Sequence, residues 1–199
     1  MNTLRTGDLT SILSSHPQSG RYYLGTFAAD TIPDQPTPLT CFVSNTDPQS
    51  KPGQHWVAFF VNQKGYTYYF DSYGIPPIKK NHLRFCEKST QGYWTYNRQR
   101  LQNFTSRNCG FHCVRFIIET CRTLDPFTAL SAMKSAPTNL TDKTAVTYML
   151  MNARKWTRPS EISTGTSTAD MYTSRGTIPL IPSRMKRKRV KRRRTWGRN

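Results

Sequence analysis

Apolar and polar positions change period several times along the chain, and the changes mark out elements. Residues 40–45 (TCFVSN), 55–61 (HWVAFFV) and 66–72 (YTYYFDS) are rich in β-branched and aromatic side chains and predict strands. HWVAFFV is apolar on both faces, which predicts a central strand covered on both sides. The intervening NQKG (62–65) reads as a hairpin loop, with Gly65 available for a positive φ. A helix is expected around Thr6–Ser15. A stronger one follows over 109–122 (CGFHCVRFIIETCR), where Gly110, Cys113, Val114, Ile117, Ile118 and Cys121 recur on one face at helical spacing. Asn108 is the expected N-cap. Further helices are predicted over Asp125–Lys134, with Pro126 in the tolerated first turn, and over Lys143–Lys155. Strands interleaved with helices, including a hairpin, imply an α+β domain.

Composition divides the chain into three. Residues 1–156 have the patterning of a folded domain. Residues 157–183 turn to Ser, Thr, Pro and Gly and read as a linker that buries too little apolar surface to order itself. Residues 184–199 (RMKRKRVKRRRTWGRN) hold ten Lys+Arg and no acid, the pattern of a disordered basic tail. The whole chain of 199 residues has 29 Lys+Arg against 11 Asp+Glu, a net charge of +18. Taking the ten tail cations from 29 leaves 19 against 11, so residues 1–183 carry +8. A moderately basic body with a polycationic tail implies a polyanionic partner, nucleic acid first. No apolar run reaches the ~20 residues of a membrane span, so no membrane partner is expected. The N-terminus lacks an apolar signal core. Five cysteines without a framework spacing suggest reduced thiols and an intracellular setting.

The hairpin brings candidate chemistry together. Pairing 55–61 with 66–72 across the 62–65 loop gives residue numbers that sum to 126 or 127, placing His55 opposite Asp71 or Ser72. Sequence does not choose between these registers. Opposed side chains on neighbouring strands stand ~5 Å apart. A carboxylate there can orient an imidazole and favour its charged form. Cys109 stands at the first turn of the strong helix, where unpaired N–H groups and the helix dipole favour a thiolate. A backbone N–H at that turn could serve an oxyanion, with the Gln102 amide as a second donor. The combination is a cysteine nucleophile, a histidine base, an aspartate orienter and a glutamine donor. Each member also has a plainer reading: a strand-end histidine, a Asp-Ser-Tyr-Gly turn, a buried thiol. His112, one turn after Cys109 on the same rigid helix, is poorly placed as the base. Cys109, His112 and Cys113 lack a second ligand pair at zinc spacing, so no metal site is expected.

These residues resemble the adenovirus protease (adenain) family of cysteine endopeptidases and, more distantly, the proteases that process ubiquitin-like proteins. The resemblance rests on GRYYLGTF (20–27), NTDPQSKPGQHWVAFF (45–60), YYFDSYG (68–74) and the seven-residue interval from Gln102 to Cys109 that ends in NCGFHC, and covers roughly residues 4–155. It implies a papain-like α+β domain with a central mixed sheet and the nucleophile at a helix N-terminus. Within it Cys109 would attack a peptide carbonyl and His55 would activate the thiol and protonate the leaving amine. Asp71, where many relatives have Glu, would orient His55; Gln102 and the Cys109 N–H would form the oxyanion hole.

The resemblance further implies a monomeric viral enzyme of the virion and host nucleus. It would cleave precursor proteins near Gly residues during particle maturation, and would be stimulated by DNA, bound without sequence specificity, and by a basic peptide. No small-molecule cofactor is implied. Residues 190–196 (VKRRRTW) resemble that activating peptide, with Thr195 where the family has Cys and Gln91 where its disulfide partner falls. Lys186, Arg187, Lys188, Arg189, Lys191, Arg192, Arg193, Arg194 and Trp196 are therefore expected to bind DNA or to act as a built-in cofactor. The competing expectation is a basic DNA-packaging or core protein with an inactive protease-like domain.

Overall fold

A computed structural model describes residues 3–134 together with 145 and 147. These all belong to residues 1–161, one of the two units into which the chain divides. The linker at 157–183 and the tail at 184–199 lie outside the described residues, as does most of the helix expected at 143–155, of which 145 and 147 are helical.

The fold is mixed α and β. In chain order it runs α1 (Thr6–Ser15), β1 (Tyr23–Phe27), β2 (Thr40–Asn45), β3 (Trp56–Val61), β4 (Thr67–Phe70), α2 (Lys80–Glu87), β5 (Trp94–Tyr96), α3 (Cys109–Thr123) and α4 (Pro126–Met133). The strands form one sheet in sequence order, β1 to β5. The outer pairs, β1 with β2 and β4 with β5, are parallel, and the inner two pairs are antiparallel. The C-terminal ends of β1, β2, β4 and β5 and the N-terminal end of β3 thus share one end of the sheet.

β3 is the middle strand and all six of its residues are buried. Its alternation sorts two cores. Trp56, Ala58 and Phe60 pack with Tyr68, Phe70 and the apolar face of α3. Val57, Phe59 and Val61 face the other way, with Phe42, Tyr69 and Phe85 of α2. Phe70 stacks on Phe116 at 4.4 Å in the first layer, and Phe42 on Phe59 at 4.5 Å in the second. Fully burying a side chain of this size contributes about 1.5–3 kcal/mol. The N-terminal segment packs closely on the start of α3 at Gly110: a Cβ there would lie 3.1 Å from Leu4 Cβ, and 3.4 Å, an ordinary contact, from Trp56 Cδ1.

Two local expectations are corrected. Asn108 precedes α3 but its side chain makes no capping bond; φ −94° and ψ 12° depart from the extended geometry that aims an N-cap side chain at the first turn. Asp125 does cap α4, accepting from the N–H groups of Phe127 and Thr128. The hairpin register is neither of the two expected. Ala58 pairs with Phe70 and Val61 with Thr67, so the numbers sum to 128. The cause is the loop: Asn62 N–H donates to Tyr66 O, leaving three residues between them, with Gly65 at φ +77°. The Asn62 carboxamide holds that loop, accepting from Lys64 N–H and Tyr66 N–H.

Candidate active site

His55 immediately precedes β3 and Asp71 immediately follows β4, so both stand at the same end of the sheet. In the observed register Asp71 is level with Val57, a diagonal neighbour of His55. Diagonal positions are ~7–8 Å apart at the backbone, within reach of an imidazole and a carboxylate. His55 Nε2 lies 2.9 Å from Asp71 Oδ1, with the two side chains 15% and 5% exposed.

The carboxylate is itself braced. Its Oδ1 also accepts from Tyr73 N–H at 2.7 Å. Asn97, just past β5, accepts from Asp71 N–H at 2.9 Å and donates through Nδ2 to Asp71 O at 2.6 Å. Asn97 is 1% exposed, so this exchange ties the ends of β4 and β5 together out of water.

Cys109 is the first residue of α3 and is 5% exposed. Its side chain acts on the same imidazole and helps to raise the pKa of the ring. With Nε2 on Asp71, Nδ1 is the ring nitrogen left for the thiol. Burial of the His55 ring disfavours the imidazolium. Hydrogen bonds and charge from Asp71, and then from Cys109, outweigh that burial and raise the pKa from 6.5 to about 9. The Tyr73 ring stacks on His55 with centroids 4.8 Å apart and limits its rotation.

Gln102 is fully buried in the segment that leads into α3. Its Oε1 accepts from Ser72 Oγ at 2.6 Å, and its Nε2 donates to Ser106 O at 2.9 Å and to Tyr73 Oη at 3.3 Å. Both amide hydrogens are engaged, which fixes the orientation of the carboxamide. His112 is fully buried on α3. Cys41 and Cys121 bury their sulfurs 3.7 Å apart, and Cys113 is fully buried on α3; hydrogen bonding to Cys121 and burial push the Cys41 thiol up, and burial does the same to Cys113. Among the described residues no group of three His, Cys, Asp or Glu could hold a metal ion, and no helix is long and apolar enough to cross a membrane.

Residue patterning missed three positions. Asn97 follows a short strand that the sequence does not announce. Ser72 and Tyr73 read as turn residues, and only the folded loop aims Ser72 at Gln102 and Tyr73 at His55. The sequence held no signal for a hollow next to Trp56 either: a cavity of about 410 Å³ lined by Thr26, Asn45, Asp47, Gly53 and Trp56 among others.

A mixed sheet with a thiol at a helix N-terminus, an imidazole and a carboxylate at one end has the layout of a cysteine-nucleophile site. No family model matches the chain. Over 98 residues it is 32% identical to a protein of Acanthamoeba polyphaga mimivirus named "Putative thiol protease R355", a match covering 45% of this chain and 32% of that protein. The chain thus spans about a third of the length of the curated relative it matches, and the homology to a viral thiol protease is weak. Among solved structures, the crystal structure of the ASFV pS273R protease is similar at 24% identity and a TM-score of 0.38, covering 51% of this chain and 41% of that one.

Proposed function

We propose that this chain is a cysteine endopeptidase with a papain-like mechanism, allied to the adenovirus proteases, that processes viral precursor proteins near Gly residues. The observation that carries the reading is the 2.9 Å bond from His55 Nε2 to Asp71, which leaves the other ring nitrogen to Cys109 at the start of α3. The Cys109 sulfur attacks the scissile carbonyl carbon, forming a C–S bond and an oxyanion. The Cys109 backbone N–H, pointing out of the first turn, receives that charge. Gln102 becomes the second donor by exchanging one of its present acceptors for the oxyanion. His55 protonates the departing amine as the C–N bond breaks, then takes a proton from the water that hydrolyses the thioester. Asp71 holds the ring in position and sustains its positive charge.

Stimulation by DNA, location in the virion and host nucleus, a monomeric state, and docking of residues 190–196 in cis belong to the same proposal. Their support is the charge pattern and the family resemblance. The experiment is cleavage of Gly-containing peptides by the full chain, with and without DNA. Cys109→Ala removes the nucleophile and is expected to abolish turnover while circular dichroism stays native. Turnover near that of the unaltered chain in the variant overturns the assignment. Absence of cleavage in the unaltered chain under every condition, with DNA bound tightly, favours the packaging protein instead.

A further inference from the structure

Two different surfaces flank His55 along the end of the sheet. On the β1–β2 side is the cavity of Thr26, Asn45, Asp47, Gly53 and Trp56. On the β4–β5 side the chain leaves β4 through Asp71 to Tyr73, and leaves β5 into residues 97–108, which deliver Cys109. His55, at the head of the middle strand, stands between them. An extended peptide that presents a carbonyl to Cys109 and lays one flank in the cavity has its other flank over residues 97–108.

That segment offers Phe104, which is 69% exposed. The ring is not loose. It stacks on Tyr73 with centroids 5.7 Å apart and planes 21° apart. The Arg100 guanidinium carbon lies 4.1 Å from its centroid. Tyr73 in turn stacks on His55. Arg100, Phe104, Tyr73 and His55 therefore form one continuous stack from solvent to the reacting groups. Stacked aromatic and cation–ring contacts each favour one orientation, so the exposed ring is held ready for a partner. Residues 97–108 contain Arg98, Arg100 and Arg107 and no acid. A guanidinium stacked on a ring keeps its N–H edge available for a carboxylate.

We propose that Phe104, fixed by Tyr73 and Arg100, is a specificity-determining residue that receives a large apolar side chain of the substrate, with an acidic neighbour favoured, on the flank of the scissile bond opposite the cavity. Aromatic rings interleaved with arginines also stack nucleobases. Continuity of this stack with His55 favours the peptide, because it sets the ring beside the scissile bond.

The inference rests on the peptidase reading. The test uses the full chain and an octapeptide library with a fixed central Gly, in which each other position carries Phe, Leu, Ala, Asp or Lys, with cleavage sites read by mass spectrometry. For the unaltered chain, Phe and Leu are expected to be preferred over Ala at one or two positions on a single flank. Phe104→Ala lowers that preference roughly tenfold, through KM, while preferences on the other flank keep their ratios. Phe104→Trp restores it, and Arg100→Ala removes the preference for Asp. An unchanged profile, or an equal loss across all peptides, overturns the proposal while leaving the peptidase reading standing. Loss of fluorescent oligo-dT binding in Phe104→Ala with an unchanged profile assigns the ring to nucleic acid and also overturns it. Failure of the unaltered chain to cleave any member sinks both readings.

Discussion

His55 has a folded pKa of about 9 against an ordinary 6.5, and that difference sets the pH behaviour of the site. A raised pKa means the folded state holds a proton the unfolded chain releases. The stabilisation is complete below pH 6.5 and is lost as pH rises through about 9. In the proposed mechanism the imidazolium protonates the leaving amine, so kcat/KM should fall on an alkaline limb near pH 9, where the folded state gives up that proton. Asp71→Asn keeps a hydrogen-bonding group but removes the charge. It should move that limb towards the ordinary 6.5 and slow turnover less than His55→Ala does. A pH–rate profile checks both points, and a limb that stays put in Asp71→Asn contradicts the role given to the carboxylate. Gln102→Ala should lower kcat by ~10²–10³, the usual cost of one oxyanion donor. If KM alone changes in steady-state assays, Gln102 binds substrate instead.

At the scale of elements, the site depends on how the start of α3 is packed. Gly110 permits the close approach of Leu4, with Trp56 in ordinary contact beside it. Trp56 is also pinned, its Nε1 donating to Leu4 O at 3.1 Å. Gly110→Ala should press on Leu4 and shift the N-terminal segment from the start of α3, costing up to about 1–3 kcal/mol, the range for overpacking a filled core. Denaturant midpoints measure the cost. Cleavage should fall with it, because Cys109 is the preceding residue. A variant of unchanged stability would show that the contact yields. The elements visible in the sequence were those with strong patterns. α1, β2, β3, α3 and α4 fall within one or two residues of their expected bounds, and the strand expected at 66–72 shortens to Thr67–Phe70. β1, α2 and β5 were not foreseen. β1 contains Gly25 at φ +145°, α2 is largely polar (KNHLRFCE), and β5 has three residues. Such segments take their form from neighbours more than from their own preferences.

For the whole molecule, charge is the dominant property. Residues 184–199 carry ten of its 29 cations. Duplex DNA should bind without base preference, with log affinity falling against log salt by about 0.9 per phosphate neutralised. A chain ending at Ser183 should lose most of that slope in filter-binding or anisotropy titrations. A salt-insensitive or sequence-specific affinity contradicts the reading. The same truncation tests the tail as a built-in activator. A flexible coil of 33 residues, the number from Thr157 to Arg189, would span ~30 Å by chain statistics, and a tether of that length would supply a millimolar-range local concentration. Without DNA, the truncated chain should be weakly active and recover on addition of a peptide of residues 184–199, provided Trp196 is present. Full activity of the truncated chain overturns the activator.

What the sequence alone determined were properties that local pattern and composition encode: the buried middle strand, the helix that begins at Cys109, the charge of the tail, and the residue types of a thiol site in order. Tertiary structure decided how they meet. A three-residue loop in place of four moved the hairpin register to a sum of 128, and His55 reaches Asp71 along a diagonal, not across a direct pair. Asn97, Ser72 and Tyr73 acquired their roles because β5 lies beside β4 and the segment after it turns back over the sheet end. Periodicity specifies which face of an element is buried. It does not specify which side chain from a distant loop arrives beside it, since that depends on loop geometry and on contacts between residues far apart in the chain.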